Sequence, residues 1–170
     1  MLYLKCTAAV QRDLGLRKEQ LAIAEPSDAP LGNWYVNRFN VGRRHAFVFM
    51  SETTLLSFIL FKGQTRITPE TLSVMLLGGL EQLLQLHGLP KEAIDRALAP
   101  YHTGLYAKTD SRADLGSLND LVRLYQWMIE DDGGLDHCNL TGIILQVNKT
   151  PQRRIRWHNS WKAVDSLLAT

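Results

Sequence analysis

The chain has 170 residues, 45% hydrophobic and 21% charged, and its 19 Lys plus Arg against 17 Asp plus Glu leave a net charge of +2. This profile fits one globular domain able to bury a core; the charge sum announces neither a nucleic acid nor a membrane, and no apolar run approaches the ~18 residues of a membrane span. Two cysteines, Cys6 and Cys138, exclude a disulfide framework and a four-cysteine zinc site, and with a start lacking signal-peptide order they predict a cytoplasmic protein.

Leu2 to Cys6 alternates as a short half-buried strand does. Thr7 is placed to cap a short helix through Val10 and Leu14, ended by Gly15, and the Pro- and Asp-bearing stretch from Glu25 to Gly32 reads as a loop. Trp34 to Val41 is a predicted strand. Ala46 to Met50 and Leu55 to Phe61 are two nearly unbroken apolar runs separated by a hairpin-length loop, which predicts strands buried on both faces in the middle of the sheet. Thr68-Pro69-Glu70 opens a helix whose leucines recur at three and four until Gly88, and Gly78-Gly79 inside it predicts a close approach by a neighbour. A short helix follows over Lys91 to Ala99. His102 to Ala107 is read as a strand, the next helix carries Leu115, Leu118, Val122, Tyr125 and Ile129 on one face, and Leu140 to Val147 is read as a strand. The order of elements predicts an α+β fold: a mainly antiparallel sheet with a central hairpin and three to four packed helices, in a single domain over residues 1–170.

Three basic constellations could carry binding. Lys108, Ser111 and Arg112 flank a helix start, where free N–H groups suit an anion, and Arg112, Gly116, Asn119 and Arg123 share one helix face beside a glycine notch. The same residues also fit a simple cap on a solvated face. Gly42-Arg43-Arg44-His45 forms a turn, and Arg38 on the preceding strand would join it if the strands pair. The third is the basic, tryptophan-bearing segment 149–170, with Arg153, Arg154, Arg156, Trp157, His158 and Trp161. Basic groups bind phosphates and tryptophans stack on bases. In the competing structural reading, Ile155 and Trp157 form an edge strand before a terminal helix, and the arginines are solvated or face the acidic run Glu130-Asp131-Asp132. The segment carries five basic residues and one acidic, so residues 1–148 are mildly acidic by themselves.

The histidines allow general acid–base chemistry, with His45 or His102 as the candidate acid or base of a metal-independent ribonuclease or phosphodiesterase. His137-Cys138 has no second ligand pair at metal spacing, so neither a metal nor a cofactor is expected. Neither Gly-x-Ser-x-Gly nor a Walker loop occurs.

Leu2 to Thr7, Asn33 to Leu60, and Lys108-Thr109-Asp110-Ser111-Arg112 with Leu115-Gly116-Ser117-Leu118-Asn119-Asp120 resemble a bacterial family of small single-domain proteins, a domain of unknown function. The resemblance extends to about Pro151 and leaves out the basic tail. It implies a bacterial, cytoplasmic protein and supplies no catalytic residue or cofactor. The leading expectation is therefore a non-enzymatic binding protein for nucleic acid or a protein partner, contacting it through the arginines above. The alternatives are the histidine nuclease and a pure interaction or dimerisation module.

Overall fold

The computed structural model describes residues 1–63, 66–102 and 104–169. Five strands, β1 (Leu2–Cys6), β2 (Trp34–Val41), β3 (Arg44–Ser51), β4 (Ser57–Phe61) and β5 (Gly104–Lys108), form one sheet in the order β4-β3-β2-β1-β5. β2, β3 and β4 make an antiparallel meander, whereas β1 is parallel to both β2 and β5. The sheet is thus mixed rather than mainly antiparallel. The first strand in the chain enters the interior of the sheet, which accounts for its burial along its whole length.

The β3–β4 hairpin is also not central, because β4 is an edge strand. Its apolar run reflects cover on both faces and not a central position. On one face Phe58 packs with Leu72, Leu76 and Leu80 of α2 (Pro69–His87); on the other Ile59 packs with Ile143 and Val147 of α5 (Leu140–Val147).

Six α-helices are present among the described residues, more than the expected three to four. Besides α2 and α5 they are α1 (Ala8–Asp13), α3 (Lys91–Leu98), α4 (Arg112–Asp131) and α6 (Ser160–Leu168). Leu140 to Val147 is helix rather than strand. A short, largely apolar run of eight residues satisfies either period, and the choice falls to Asn139, whose Oδ1 accepts from the Gly142 N–H at 3.0 Å as an N-cap. The α2 signals act as read: Thr68 caps it, and Gly88, at φ 93°, ends it in the left-handed conformation. Gly79 is a true close approach, since a Cβ there would lie 2.7 Å from the Phe58 ring.

Alternation along the strands divides the interior in two. Trp34, Val36, Phe47 and Phe49 face a core built with α1, α2, α3 and α6, while Tyr35, Phe39, Val48 and Met50 face α4 and α5. Cys6 belongs to the first core and Cys138 packs against the second, so the two free thiols lie on opposite sides of the sheet. Burial pushes the Cys6 thiol up to about 12, which keeps it protonated and unreactive.

The tail docks as the α6 helix and not as an edge strand. Trp161, Val164 and Leu168 are buried in the first core, worth roughly 1.5–3 kcal/mol for each fully buried side chain. Trp161 Nε1 donates to the Leu145 carbonyl at 3.2 Å, and its ring stacks on His87 at 4.0 Å between centroids. A strand over Ile155 to Trp157 is ruled out by Arg156 and Trp157, which are both left-handed, at φ 58° and 61°.

Candidate functional site

The α4 helix begins at the end of β5, so the motif from Lys108 to Asp120 runs from the sheet onto its second face. The Ser111 Oγ accepts from the Asp114 N–H at 3.2 Å, which makes Ser111 the cap. Arg112, Gly116, Asn119 and Arg123 are all exposed along one side of the helix, and Arg123 pairs with Asp120. Lys108 is exposed and lies by a separate depression shared with Lys18 and Asp110.

Residues 150–154 run beside the first half of α4. Between them lies a groove of about 420 Å³, bounded by Gly116, Ser117 and Asp120 on the helix and by Pro151, Arg153 and Arg154 on the tail. Two of the three basic constellations therefore meet. They are joined by Arg154, whose Nη1 lies 2.6 Å from Asp114 Oδ1 and donates to Ser117 Oγ at 3.1 Å. The contact with Asp114 is ionic rather than a directed hydrogen bond. Arg154 thus anchors the tail to the buried Asp114, neither simply solvated nor paired with Glu130–Asp132, the two placements the structural reading allowed.

Beyond the anchor, residues 152–158 close into a tight loop. The Gln152 N–H donates to the His158 carbonyl at 3.1 Å, and the Trp157 N–H donates to the Gln152 carbonyl at 2.9 Å. The loop holds Trp157 66% exposed, between the exposed side chains of Arg153, Arg156 and His158. Left-handed backbone at a non-glycine residue costs about 1–2 kcal/mol, and two such residues in succession present this indole to solvent. Trp161, by contrast, is core and leaves the candidate surface.

The other candidates are dispersed. Arg38 is held by Asp13 at 3.1 Å, and Arg44 lies 4.9 Å over the Phe61 ring. Register explains why they do not cluster: Arg38 stands opposite Phe47 and Arg44 opposite Val41, which places them on opposite faces of the sheet. Arg43 is exposed at the turn between the two strands. His45 is half-buried beside the end of β2, and His102 is exposed just before β5. These positions are at opposite ends of the sheet, on the order of 25 Å apart along the strands, so they cannot serve one phosphodiester. Among the described residues no three His, Cys, Asp or Glu side chains are grouped as metal ligands would be.

One polar cluster escapes sequence reading. Lys5, 7% exposed in β1, places its Nζ 2.8 Å from Glu52 Oε2 and 3.0 Å from Asp110 Oδ2, and the Tyr35 hydroxyl donates to Asp110 Oδ1 at 2.6 Å. Burial pulls the Lys5 ammonium down, but bonds to Glu52 and Asp110 outweigh it and leave the group above its ordinary value. Burial raises the Asp110 carboxyl, while Tyr35 and Lys5 outweigh that and hold it below its ordinary value. The cluster is a fully charged tie between β1, the β3–β4 loop and the start of α4. The signal available in the sequence was a lysine inside an otherwise apolar strand.

A mixed five-stranded sheet covered by helices on both faces is an architecture also found in the catalytic core domain of BIV integrase. That structure is similar to this chain at TM-score 0.50 and 11% identity, over 78% of this chain and 93% of the other. At that identity the likeness concerns the fold alone. Residues 3–163 match the model of the DUF6933 family, a domain of unknown function, and the chain belongs to that family. The match runs past Pro151 through the Arg- and Trp-bearing loop and into α6. No curated protein matches the sequence. No helix among the described residues is long and apolar enough to cross a membrane.

Proposed function

We propose that this protein binds single-stranded nucleic acid through the 152–158 loop and the adjoining groove on α4. The observation that carries this reading is Trp157, held exposed on strained backbone between Arg153 and Arg156. An exposed indole offers a stacking face for any base, and flanking arginines neutralise the phosphates on either side. Stacking on one aromatic group is worth about 1–3 kcal/mol, and each neutralised phosphate of a single strand adds about −0.7 to the slope of log K against log salt. Arg112, exposed at the start of α4, extends the basic surface beside the groove.

Fluorescence anisotropy with labelled single-stranded and duplex oligonucleotides across a salt series tests this reading. Single strands should bind more tightly than duplex, with a slope corresponding to two or three phosphates. Trp157→Ala should weaken binding about tenfold or more at every salt concentration, and Arg153→Glu should flatten the slope. Absent or salt-independent binding sinks the proposal.

A separate observation favours a second reading, a protein partner bearing a basic segment. Trp127 is 61% exposed beside Asp131 and Asp132 in a groove of about 430 Å³ between α4 and α5. No Lys or Arg occurs between residues 124 and 148 to offset these acids. An arginine-rich peptide should bind there, and Asp131→Lys should abolish that binding without changing affinity for nucleic acid.

A further inference from the structure

The groove beside Trp157 has a chemistry that distinguishes among bases, and this inference rests on the nucleic-acid reading above. Gln152 lines the groove, and its backbone carbonyl accepts from the Trp157 backbone N–H at 2.9 Å, so the residue that carries the indole is joined to the groove wall without itself lining it. A strand laid along the loop can stack one base on Trp157 and turn its neighbour into the groove. That neighbour meets apolar walls at Leu121, Leu124 and Pro151, and at Gly116 the helix is open, since a Cβ there would have nothing within 4 Å.

The polar groups at the groove are unequal in what they can offer. Arg154 is committed to Asp114 and Ser117. Arg153 is exposed and makes no ion pair among the described residues, which suits it to a phosphate. The remaining charged group is Asp120. Its partner Arg123 lies three residues on, and the two side chains are 74% and 72% exposed, so exchanging that partner costs little. An ionised carboxylate only accepts hydrogen bonds, and it accepts best from two parallel donors.

Among the common bases, guanine alone presents two adjacent donors on its Watson–Crick edge, N1–H and the N2 amine. Adenine and cytosine each set an acceptor beside their single amine, and uracil flanks its one N–H with two carbonyls that a carboxylate repels. We infer that the groove is a guanine-selective subsite in which Asp120 is the specificity-determining residue.

The test is anisotropy at one fixed salt concentration, using labelled U8 RNA and variants carrying a single central G, A, C or inosine. The G-containing strand should bind about tenfold more tightly than the A, C and U strands. Inosine, which lacks the N2 amine, should fall between. Asp120→Asn should erase the preference for G, bringing the G strand level with the A, C and U strands, and with the repelling carboxylate gone it should bind U8 no more weakly than the parent does. Gly116→Leu should fill the groove and erase the same preference, with a thermal midpoint no lower than that of the parent, since leucine is the better helix former. Equal binding of the G and A strands by the parent, or a preference for G that survives Asp120→Asn, overturns the inference while leaving single-strand binding in place. Failure to bind U8 at all would instead overturn the nucleic-acid reading and this inference with it.

Discussion

The side-chain amide of Asn148 stands in for a neighbouring strand at Ser57: its Oδ1 accepts from the Ser57 N–H at 2.9 Å and its Nδ2 donates to the Ser57 carbonyl at 2.8 Å. Ser57 begins the edge strand β4, where unpaired backbone groups would otherwise be buried or would invite another strand. Asn148 is itself 1% exposed and follows α5 directly, so the helix that covers the edge also supplies the group that terminates it.

Asn148→Ala strips a donor and an acceptor of Ser57 of their partners in a site closed to water. Leaving two buried polar groups unsatisfied should cost about 2–4 kcal/mol. Urea unfolding followed by far-UV circular dichroism should show a lower midpoint with an unchanged slope. A loss below about 0.5 kcal/mol would mean that water replaces the amide and that the edge is open.

The two neighbouring glycines of α2 should respond in opposite directions. A Cβ at Gly79 would sit 2.7 Å from the Phe58 ring, and that ring is fixed by stacking on Phe49 at 5.1 Å between centroids. Gly79→Ala should therefore destabilise by about 1–3 kcal/mol in spite of alanine's helix propensity. Gly78 is exposed with nothing within 4 Å of a Cβ, and Gly78→Ala should stabilise by about 0.5–1 kcal/mol. Thermal denaturation of the two variants side by side checks both signs.

The Lys5 cluster predicts a stability profile that falls at both ends of the pH scale. Asp110 titrates lower in the folded chain than in the unfolded one, so its contribution is present above the ordinary carboxylate value and fades as pH falls through the folded value. Lys5 titrates higher when folded, so its contribution is complete below the ordinary ammonium value and fades as pH rises through the folded value. Asp110→Asn should flatten the acid limb of a plot of urea midpoint against pH and also shrink the alkaline limb, since Asp110 is one of the two carboxylates that hold the Lys5 ammonium up. Lys5→Met should remove its share of the alkaline limb, and it should also destabilise at neutral pH by leaving Glu52 and Asp110 without their shared cation.

What could be read from the chain was local. Thr68, Pro69 and Gly88 bound α2, Ser111 caps α4, and the close approach implied by Gly79 is met by Phe58, because each depends on residues nearby or on a fixed steric rule. What could not be read was set by distance in sequence. Lys5 meets Glu52 and Asp110 across separations of 47 and 105 residues, and the parallel pairing of β1 with β5 has no local signature. Leu140 to Val147 differs for another reason: so short and largely apolar a run carries no period that separates helix from strand, and the deciding cap is a single asparagine. In the candidate site, the exposure of Arg153, Arg156 and Trp157 matches the composition of the tail, whereas its contact with Gly116 depended on Arg154 reaching a buried carboxylate on another helix.

That reach separates two arginines adjacent in sequence. Arg154 is turned inward to Asp114, which is 8% exposed, while Arg153 faces outward. Arg154→Ala leaves a buried carboxylate without its cation and should cost about 1–2 kcal/mol, less than a fully buried pair because the Arg154 side chain is 37% exposed. Replacing Asp114 with Asn in the same chain removes the charge that needed the partner. The double variant should therefore be more stable than the sum of the two single losses implies, a coupling read directly from a double-mutant cycle of urea midpoints. Arg153→Glu should leave that stability within about 0.5 kcal/mol of the parent and change only the salt slope of oligonucleotide binding. The reverse pattern, a stable Arg154→Ala and a destabilised Arg153→Glu, would mean that the two side chains have exchanged places and that the groove is built on the other arginine.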